Sequence, residues 1–225
     1  MKREHDSSGM ERYLRPTFFI DWDSSSIKLK ASELTQGQAN ALEKAKLLFY
    51  FVRDEIKYNP YVPRHLPEHF RASHTLAQGE GFCIQKAVLL AALARAVGIP
   101  ARLGFAVIRN NLLSEKIAAL LRTNIITDHG YAELYLEGKW VKATPAFDLE
   151  MCQKNGIIPV EFDGRHDAKF HLYNREGKLH IEYLFDRGTF DDVPLEKVQK
   201  WFLLATKPEV RENVLRGKFN PPLPG

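Results

Sequence analysis

Residues 84–97 are the part of this sequence that most restricts how the chain can fold. Apolar side chains occupy nearly every side of a helix drawn through them, and they are Ala87, Val88, Leu89, Leu90, Ala91, Ala92, Leu93, Ala94 and Ala96. Gly98 favours a left-handed helix end, and Pro100 prevents the helix from continuing. A helix without a polar face has to be buried on all sides, so we expect the rest of the chain to surround it.

The residues just before this helix are suited to nucleophilic chemistry. Glycines at 79 and 81 let the backbone turn sharply on its way to Cys83. At a helix start, free N–H groups and the positive end of the dipole favour a thiolate and can stabilise an oxyanion. We therefore interpret Cys83 as a candidate nucleophile that ionises more easily than usual, although most buried cysteines are inert. Cys152 has no such setting, and we interpret it as structural or incidental.

The remaining patterns predict an α+β fold. We expect a short strand at 18–20, a helix over 39–56, an irregular stretch over 60–81, a strand over 103–107, a helical insertion over 112–121, a hairpin of strands 131–136 and 139–143, and a helix over 195–204. A central helix followed by antiparallel strands is an α+β order. The helix that carries Cys83 is therefore predicted to pack on an antiparallel sheet.

Chain length favours one main domain. The 225 residues are enough for one sizeable core but short for two average domains. Residues 1–17 are polar and read as an N-terminal extension, while 206–225 end in a proline-rich run that cannot form a packed element. We therefore expect a domain over 18–205 with an extension at each end.

Charge and cysteine content exclude several classes of protein. The net charge of +4 comes from 32 basic and 28 acidic residues without a long block of one sign, which gives little support to nucleic-acid binding. Two cysteines are too few for a disulfide framework, so a reducing, cytoplasmic location is the expectation. The sequence start lacks the apolar run of a secretion signal, and no stretch approaches the roughly 18 apolar residues of a membrane span. We expect neither a membrane partner nor a cofactor.

Among the eight histidines, His129 is the favoured base for a thiol. It opens the first strand of the predicted hairpin, where a side chain can point into a groove. If a two-residue turn joins the strands, His129 lies opposite Ala146, and Thr144 and Asp148 share its face. Either residue could accept a hydrogen bond from the imidazole, although Pro145 can break this register.

Two further groups carry weaker signals. Gln78, shortly before the thiol, could donate to an oxyanion, but a solvated loop amide is the more common case. His65, His69 and His74 surround Glu68 closely enough to suggest a metal site. Pro67 interrupts a helix there, and no paired cysteine supports zinc. We therefore predict solvated loop histidines and no metal.

At this point the motifs resemble the transglutaminase-like superfamily. The segment 81–102, with its Gly-Phe-Cys start and Gly-Ile-Pro-Ala-Arg end, is similar to the nucleophile helix of that family. The segments 129–136 and 138–141 are similar to its histidine hairpin, and 51–58 is similar to the helix that precedes the cysteine. Order, spacing and flanking residues agree together over about 18–204.

The resemblance implies a papain-like core in which a cysteine, a histidine and an acid act on an amide or acyl bond. It carries over directly to Cys83 and His129. The family usually has Asp before the proline that follows the hairpin, and here Thr144 stands before Pro145. Asp148 is the preferred substitute for the orienting acid and Thr144 the second choice. Asp128 is too close to His129 along the strand to be preferred.

These inferences predict a thiol-dependent hydrolase or acyltransferase that acts on a protein or peptide substrate. Cys83 attacks the carbonyl, His129 moves the proton, and Asp148 orients the imidazole through an acyl-enzyme intermediate. Hydrolysis is favoured over amine transfer because no loop resembles a calcium-binding motif. The alternative is a catalytically silent binding module, since Thr144 occupies the place of an acid. A metal-dependent hydrolase that uses the histidine-rich stretch is a third interpretation.

Overall fold

The computed structural model describes residues 9–121 and 123–216. The α-helices are α1 (Ser25–Leu34), α2 (Ala41–Asp54), α3 (Ala72–Gln78), α4 (Cys83–Ala96), α5 (Glu115–Leu120), α6 (Leu149–Lys154), α7 (Leu195–Ala205) and α8 (Arg211–Leu215). The strands are β1 (Lys57–Tyr58), β2 (Glu80–Gly81), β3 (Ala101–Asn110), β4 (Ile125–Leu136), β5 (Lys139–Ala143) and β6 (Ile181–Phe190). Single 3-10 turns lie at Glu11–Tyr13, Pro67–Phe70 and Pro208–Val210.

The main sheet is antiparallel and has the strand order β5-β4-β3-β6. Leu136 pairs with Lys139 across the turn that joins β4 to β5. The predicted hairpin and its two-residue turn are therefore confirmed. A separate parallel pair joins β1 to β2 directly before α4 begins.

The predicted central helix is confirmed as α4, which contacts α1, α2 and α3 as well as β3 and β4. Thirteen of its residues, from Cys83 to Arg95, are buried, as expected for a helix that is apolar on all sides. Gly98 has φ +80°, so the predicted left-handed helix end is also confirmed. The fold is therefore α+β, with the helix that carries Cys83 packed on an antiparallel sheet.

Polar side chains of α4 fix its position because each binds backbone carbonyls of other elements. Lys86 Nζ donates to Arg53 O at 3.0 Å and to Ile56 O at 2.5 Å. Arg95 donates to the carbonyls of Ala101, Arg15 and Asp191. Buried carbonyls that have lost water need such donors. These bonds tie α4 to the end of α2, the start of β3 and the N-terminal segment.

Several local predictions were wrong. The predicted strand at 18–20 is not formed, and the chain bends there, with Phe19 and Ile20 buried in the core and Phe18 exposed. The stretch 60–81, predicted to be irregular, contains α3 and a 3-10 turn. The helices α1 and α6, which begin at Ser25 and Leu149, were not predicted from the sequence.

The segments flanking 18–205 contribute contacts to the domain. Tyr13 is buried, and its ring meets that of Trp140 edge-on with centroids 4.9 Å apart. Thr206 is buried, and the N–H of Arg64 donates to Leu215 O at 2.8 Å. Residues 1–8 of the predicted extension and 217–225 of the predicted tail lie outside the described residues. The boundaries at 18 and 205 stay a prediction.

We expect Lys86→Met to destabilise the fold by about 2 kcal/mol, because two buried carbonyls lose their donor. Burial lowers the pKa of Lys86 from 10.5 to about 7. The unfolded chain therefore binds more protons than the folded one between these values, and wild-type stability should rise with pH across this window. Denaturant unfolding at pH 6 and pH 9 measures the effect. The rise should be clearly smaller in Lys86→Met, where the buried histidines, whose pKa values are also lowered, still contribute to it near pH 6.

The matched control is Lys200→Met, which removes an exposed lysine of α7. It should leave both the stability and its pH dependence within about 0.5 kcal/mol of wild type. An unchanged pH slope in Lys86→Met would show that Lys86 does not titrate as its burial indicates.

Candidate active site at the tip of the buried helix

The strand pair β1–β2 delivers Cys83 to the first position of α4. Tyr58 pairs with Gly81, and the N–H of Asn59 donates to Gly81 O at 3.0 Å. Gln85 then fixes the helix start: its Oε1 accepts from the Phe82 N–H at 3.2 Å, and its Nε2 donates to a carbonyl of the 3-10 turn before α3 at 2.7 Å. The thiol therefore sits on a rigid, buried support.

Strand β4 passes directly over this helix tip at Gly130. A Cβ added to Gly130 would lie 2.9 Å from Ile84 Cγ1 and 3.1 Å from Ile84 Cα, so only glycine allows this approach. The last β4–β5 pair is Ala132 with Ala143, which leaves β4 unpaired with β5 at Gly130. The backbone N–H groups of Gly130 and Ile84 are close enough to the Cys83 sulfur to lower the pKa of the thiol.

His129, the neighbour of Gly130, is buried among aromatic rings. Its ring centroid is 5.0 Å from that of Phe170 and 5.9 Å from that of Tyr183. The Tyr183 hydroxyl is 3.5 Å from His129 Nε2. Burial lowers the pKa of His129 to about 3, so the imidazole is neutral at physiological pH.

Cys83 and His129 line the same cavity, which has a volume of about 240 Å³. Asp128 and Arg64 also line it, and much of its remaining wall is apolar, including Ile108, Ile126, Phe147, Phe170, Ile181 and Phe202. Asp128 and His129 are neighbours in β4, next to an irregularity in its pairing with β3. Among the residues that the structure describes, no hydrogen bond joins the thiol to the imidazole.

The expectation that Cys83 ionises easily was wrong. The pKa of the thiol is raised to about 12, first by burial and then by the nearby carboxyl of Asp128. Hydrogen bonds from Gly130 and Ile84 and the charge of Arg64 oppose this rise without cancelling it. A side chain that is only 9% exposed loses more hydration than one helix start restores. The resting site therefore holds a thiol and a neutral imidazole.

Arg64 and Asp128 form the charged end of the cavity. The Arg64 guanidinium lies 3.9 Å from the centroid of the Phe82 ring and donates to Pro60 O. Burial lowers the pKa of Arg64 and raises that of Asp128, while the attraction between the two charges opposes both shifts. Both groups therefore lie next to the nucleophile in a desolvated environment.

Asp148, predicted to orient His129, has other partners. Its Oδ1 accepts from the Met151 N–H at 2.8 Å and caps α6, and its Oδ2 accepts from the Tyr58 N–H at 2.8 Å. No hydrogen bond from Asp148 to His129 is found in the described parts of the chain. The hairpin register does not extend to Asp148 because β5 ends at Ala143. The orienting role of Asp148 stays a prediction without a hydrogen bond to support it.

Thr144, the second choice for that role, lies on the His129 side of the site. Its hydroxyl is buried without a partner at hydrogen-bonding distance, yet it is near enough to Tyr183 to oppose the rise of that phenol's pKa. Desolvation dominates and raises the pKa of Tyr183 to about 12. Tyr183 Oη also accepts from the Phe170 N–H at 3.4 Å. The tyrosine hydroxyl therefore stands between the imidazole and Thr144.

The other weak candidates lie apart from this cavity. Gln78 is exposed at the end of α3 and does not line it. The rings of His65 and His69 are 4.8 Å apart, and those of His69 and His74 are 5.4 Å apart. Within residues 9–121 and 123–216, no group of three or more His, Cys, Asp or Glu side chains is arranged to hold a metal ion.

Sequence reasoning missed two residues of the site. Arg64 lies between prolines in a stretch without periodicity, and no local pattern indicates that it turns toward Cys83. Tyr183 lies on β6, which pairs with β3 and not with the hairpin. The sequence did contain a signal for the observed role of Asp148 as the cap of α6. An Asp before Leu149-Glu150, with Lys154 a turn later, is typical of a capped short helix.

The buried thiol at a helix tip, placed against a histidine-bearing antiparallel hairpin, defines a papain-like core. Residues 28–145, just over half of the 225-residue chain, match the family model described as the transglutaminase-like superfamily. The chain belongs to the transglutaminase-like superfamily.

Three solved structures are similar to this chain. A putative cysteine protease from Cytophaga hutchinsonii has 20% identity and a TM-score of 0.48, with 63% of this chain and 43% of that chain covered. The periplasmic domain of TgpA from Pseudomonas aeruginosa has 21% identity and a TM-score of 0.46, with coverages of 63% and 48%. A putative protease from Parabacteroides distasonis has 16% identity and a TM-score of 0.38, with coverages of 61% and 25%.

The chain therefore spans less than half the length of each of these structures. No curated protein matches it. Of the helices in the described residues, none is both long and apolar enough to cross a membrane.

We expect Asp128→Asn to lower the pKa of the Cys83 thiol, because it removes a negative charge that opposes the thiolate. At pH 8 the thiolate fraction, and with it the rate of alkylation by iodoacetamide, should rise by roughly tenfold per unit of pKa. Wild-type Cys83 should react slowly. The measurement is made in a Cys152→Ser background, so that Cys83 is the only thiol that can be alkylated.

Glu150→Gln provides the matched control, since Glu150 is an exposed acid that binds Lys57 and Lys154. Its alkylation rate should equal that of wild type. An Asp128→Asn rate equal to wild type would contradict the role given to the Asp128 carboxyl.

Proposed function

We propose that this protein is a thiol-dependent hydrolase or acyltransferase that acts on amide bonds of a protein or peptide. The observation that carries the proposal is that Cys83 and His129 line one cavity at the N-terminus of a buried helix. Membership of the transglutaminase-like superfamily supports the same reaction class. The amide substrate, and water or an amine as the acyl acceptor, are likewise proposed.

In the proposed reaction the sulfur attacks the carbonyl carbon while its proton passes to His129. The C–N bond then breaks, and the imidazolium returns the proton to the leaving amine. Free N–H groups in the first turn of α4 hold the oxyanion. Water, activated by the neutral imidazole, hydrolyses the thioester to a carboxylic acid and restores the thiol. An amine in place of water gives acyl transfer.

Because the Cys83 thiol and the His129 imidazole are both neutral at rest, the nucleophile has to form during the reaction. With a thiol pKa of about 12 and an imidazole pKa of about 3, an ion pair is unfavourable before substrate binds. Proton transfer therefore accompanies attack on the carbonyl. The hydrogen bond between Cys83 and His129 forms in the substrate complex, as catalytic hydrogen bonds that are long in a free enzyme commonly do.

Tyr183 acts in this proposal as the positioning residue for the imidazole. The His129 Nε2–H donates to Tyr183 Oη, and the Tyr183 O–H donates toward the unpartnered hydroxyl of Thr144. This arrangement keeps the lone pair on Nδ1, which can then accept the thiol proton. Thr144 stands where the family usually has an acid, so a neutral chain of hydroxyls replaces the carboxylate.

A catalytically silent binding module is the second candidate. The raised thiol pKa and the neutral residue at position 144 favour it. A silent module would bind peptides equally well with or without the thiol and would form no thioester. Mass spectrometry of protein mixed with an activated acyl donor therefore separates the two candidates.

The first test is loss of activity in Cys83→Ser. Turnover of a fluorogenic peptide-amide library should fall by roughly a thousandfold or more, because a serine hydroxyl is not activated in this site. Wild type should form a thioester on Cys83 that primary amines intercept in competition with water. Cys152→Ser serves as the control for a second buried thiol and should remain active. Full activity in Cys83→Ser would contradict the proposal. Loss of wild-type activity on adding a chelator would also contradict it.

A second test concerns Tyr183→Phe. Loss of one neutral hydrogen bond should lower kcat about five- to tenfold and leave KM unchanged. The nitrogen NMR spectrum of His129 should show less proton on Nε2, a change that a purely structural role would not cause. Tyr173→Phe, at an exposed tyrosine, is the control.

Adding Thr144→Asp to Tyr183→Phe should recover part of the lost kcat, because a carboxylate can take over the hydrogen bond from Nε2. Unchanged kcat and an unchanged tautomer in Tyr183→Phe would remove Tyr183 from the site.

A further inference from the structure

Two buried charges lie in the cavity and have no part in the proposed proton transfers. Arg64 is 9% exposed and Asp128 is 8% exposed, and both line the cavity that holds the thiol. No ion pair at salt-bridge distance joins them in the portion of the chain that the structure describes. Buried charges without a close partner are costly, which suggests that a bound molecule completes the site.

The balance of charge favours an anion as that molecule. Cys83, His129 and Tyr58 face the same space and are neutral, because burial raises the pKa of the thiol and the phenol and lowers that of the imidazole. His180 also lines it, and burial lowers its pKa. Arg187 does not line the cavity, since its guanidinium donates to Thr127 O and lies over Trp201, but its charge still attracts Asp128. Asp128 therefore compensates the charge of Arg64 only in part.

Arg64 is held at a fixed distance from the reacting atoms. Its guanidinium lies over Phe82, the residue before Cys83, and donates to Pro60 O. A guanidinium binds a carboxylate through parallel N–H donors and so gives it a defined orientation. The apolar wall, including Ile108, Ile126 and Phe202, extends from this end.

We infer that Arg64 receives a carboxylate of the substrate, so that the site selects amides with a free carboxylate close to the scissile bond and an apolar side chain for the cavity wall. The part of the inference that concerns cleavage rests on the proposed function. The part that concerns binding of the carboxylate does not. Asp128 limits the anion to a single charge by repulsion. Arg64 is thus a specificity-determining residue.

A binding experiment tests the inference without turnover. N-acetyl-leucine and N-acetyl-leucinamide share the apolar side chain and differ in the carboxylate. Calorimetry with the whole chain should show at least roughly tenfold tighter binding of the acid. Arg64→Gln should remove that preference, and Asp128→Asn should strengthen binding of the acid by about threefold or more, since a repelling charge is lost.

Arg165→Gln removes an exposed arginine that pairs with Glu137, and it should bind both probes as wild type does. The Asp128 variant keeps the test decisive if Arg64→Gln fails to fold. Equal affinity of wild type for acid and amide, or an Asp128→Asn affinity no tighter than wild type, would overturn the inference.

Turnover separates this inference from the proposed function. Peptide amides are compared in pairs with carboxylate or carboxamide on either side of the scissile bond. A preference for the carboxylate member that disappears in Arg64→Gln supports the inference. Equal cleavage of the carboxylate and carboxamide members would contradict the inference but not the proposed function. Acid-selective binding with no cleavage of any pair and no thioester sinks the proposed function alone.

Discussion

The complete burial of α4 is the constraint on which the rest of the structure depends. A helix that is apolar on every side cannot rest on a surface, so the sheet packs on it together with α1, α2 and α3. Lys86 and Arg95 add polar anchors, since each binds backbone carbonyls of other elements. The helix start reaches the cavity, and Cys83 stands there. The packing that stabilises the fold therefore also sets the position of the thiol.

The same burial determines the electrostatics of the site. A thiolate or an imidazolium in this cavity would lose hydration that a few N–H groups cannot replace, so both groups rest in their neutral forms. The close approach of β4 at Gly130 supplies one of those N–H groups and also brings His129 to the cavity. Nucleophilic strength must then arise during attack, when the carbonyl oxygen takes up the negative charge near the helix start.

Local pattern was enough to predict the elements whose residues lie close together in the sequence. The buried helix and the hairpin of β4 and β5 followed from apolar periodicity and a two-residue turn. Asp148 was placed by extending the hairpin register past Pro145, but the Thr144 N–H bonds Ala168 and the chain turns into α6. Arg64 and Tyr183 reach the site through long-range packing and sheet order, which no spacing in the sequence encodes.

The neutral residue at position 144 is consistent with these electrostatics. A carboxylate behind His129 would stabilise the imidazolium and raise its pKa, and its own charge would be desolvated among the aromatic rings. In the proposed site the hydroxyl of Tyr183 can hold the ring in one tautomer without adding charge. Elsewhere in the superfamily one acid usually both orients the imidazole and stabilises its positive charge. In the proposed site these two roles are separate. The fixed charges of Arg64 and Asp128 line the same cavity, where they act on the substrate and the thiol.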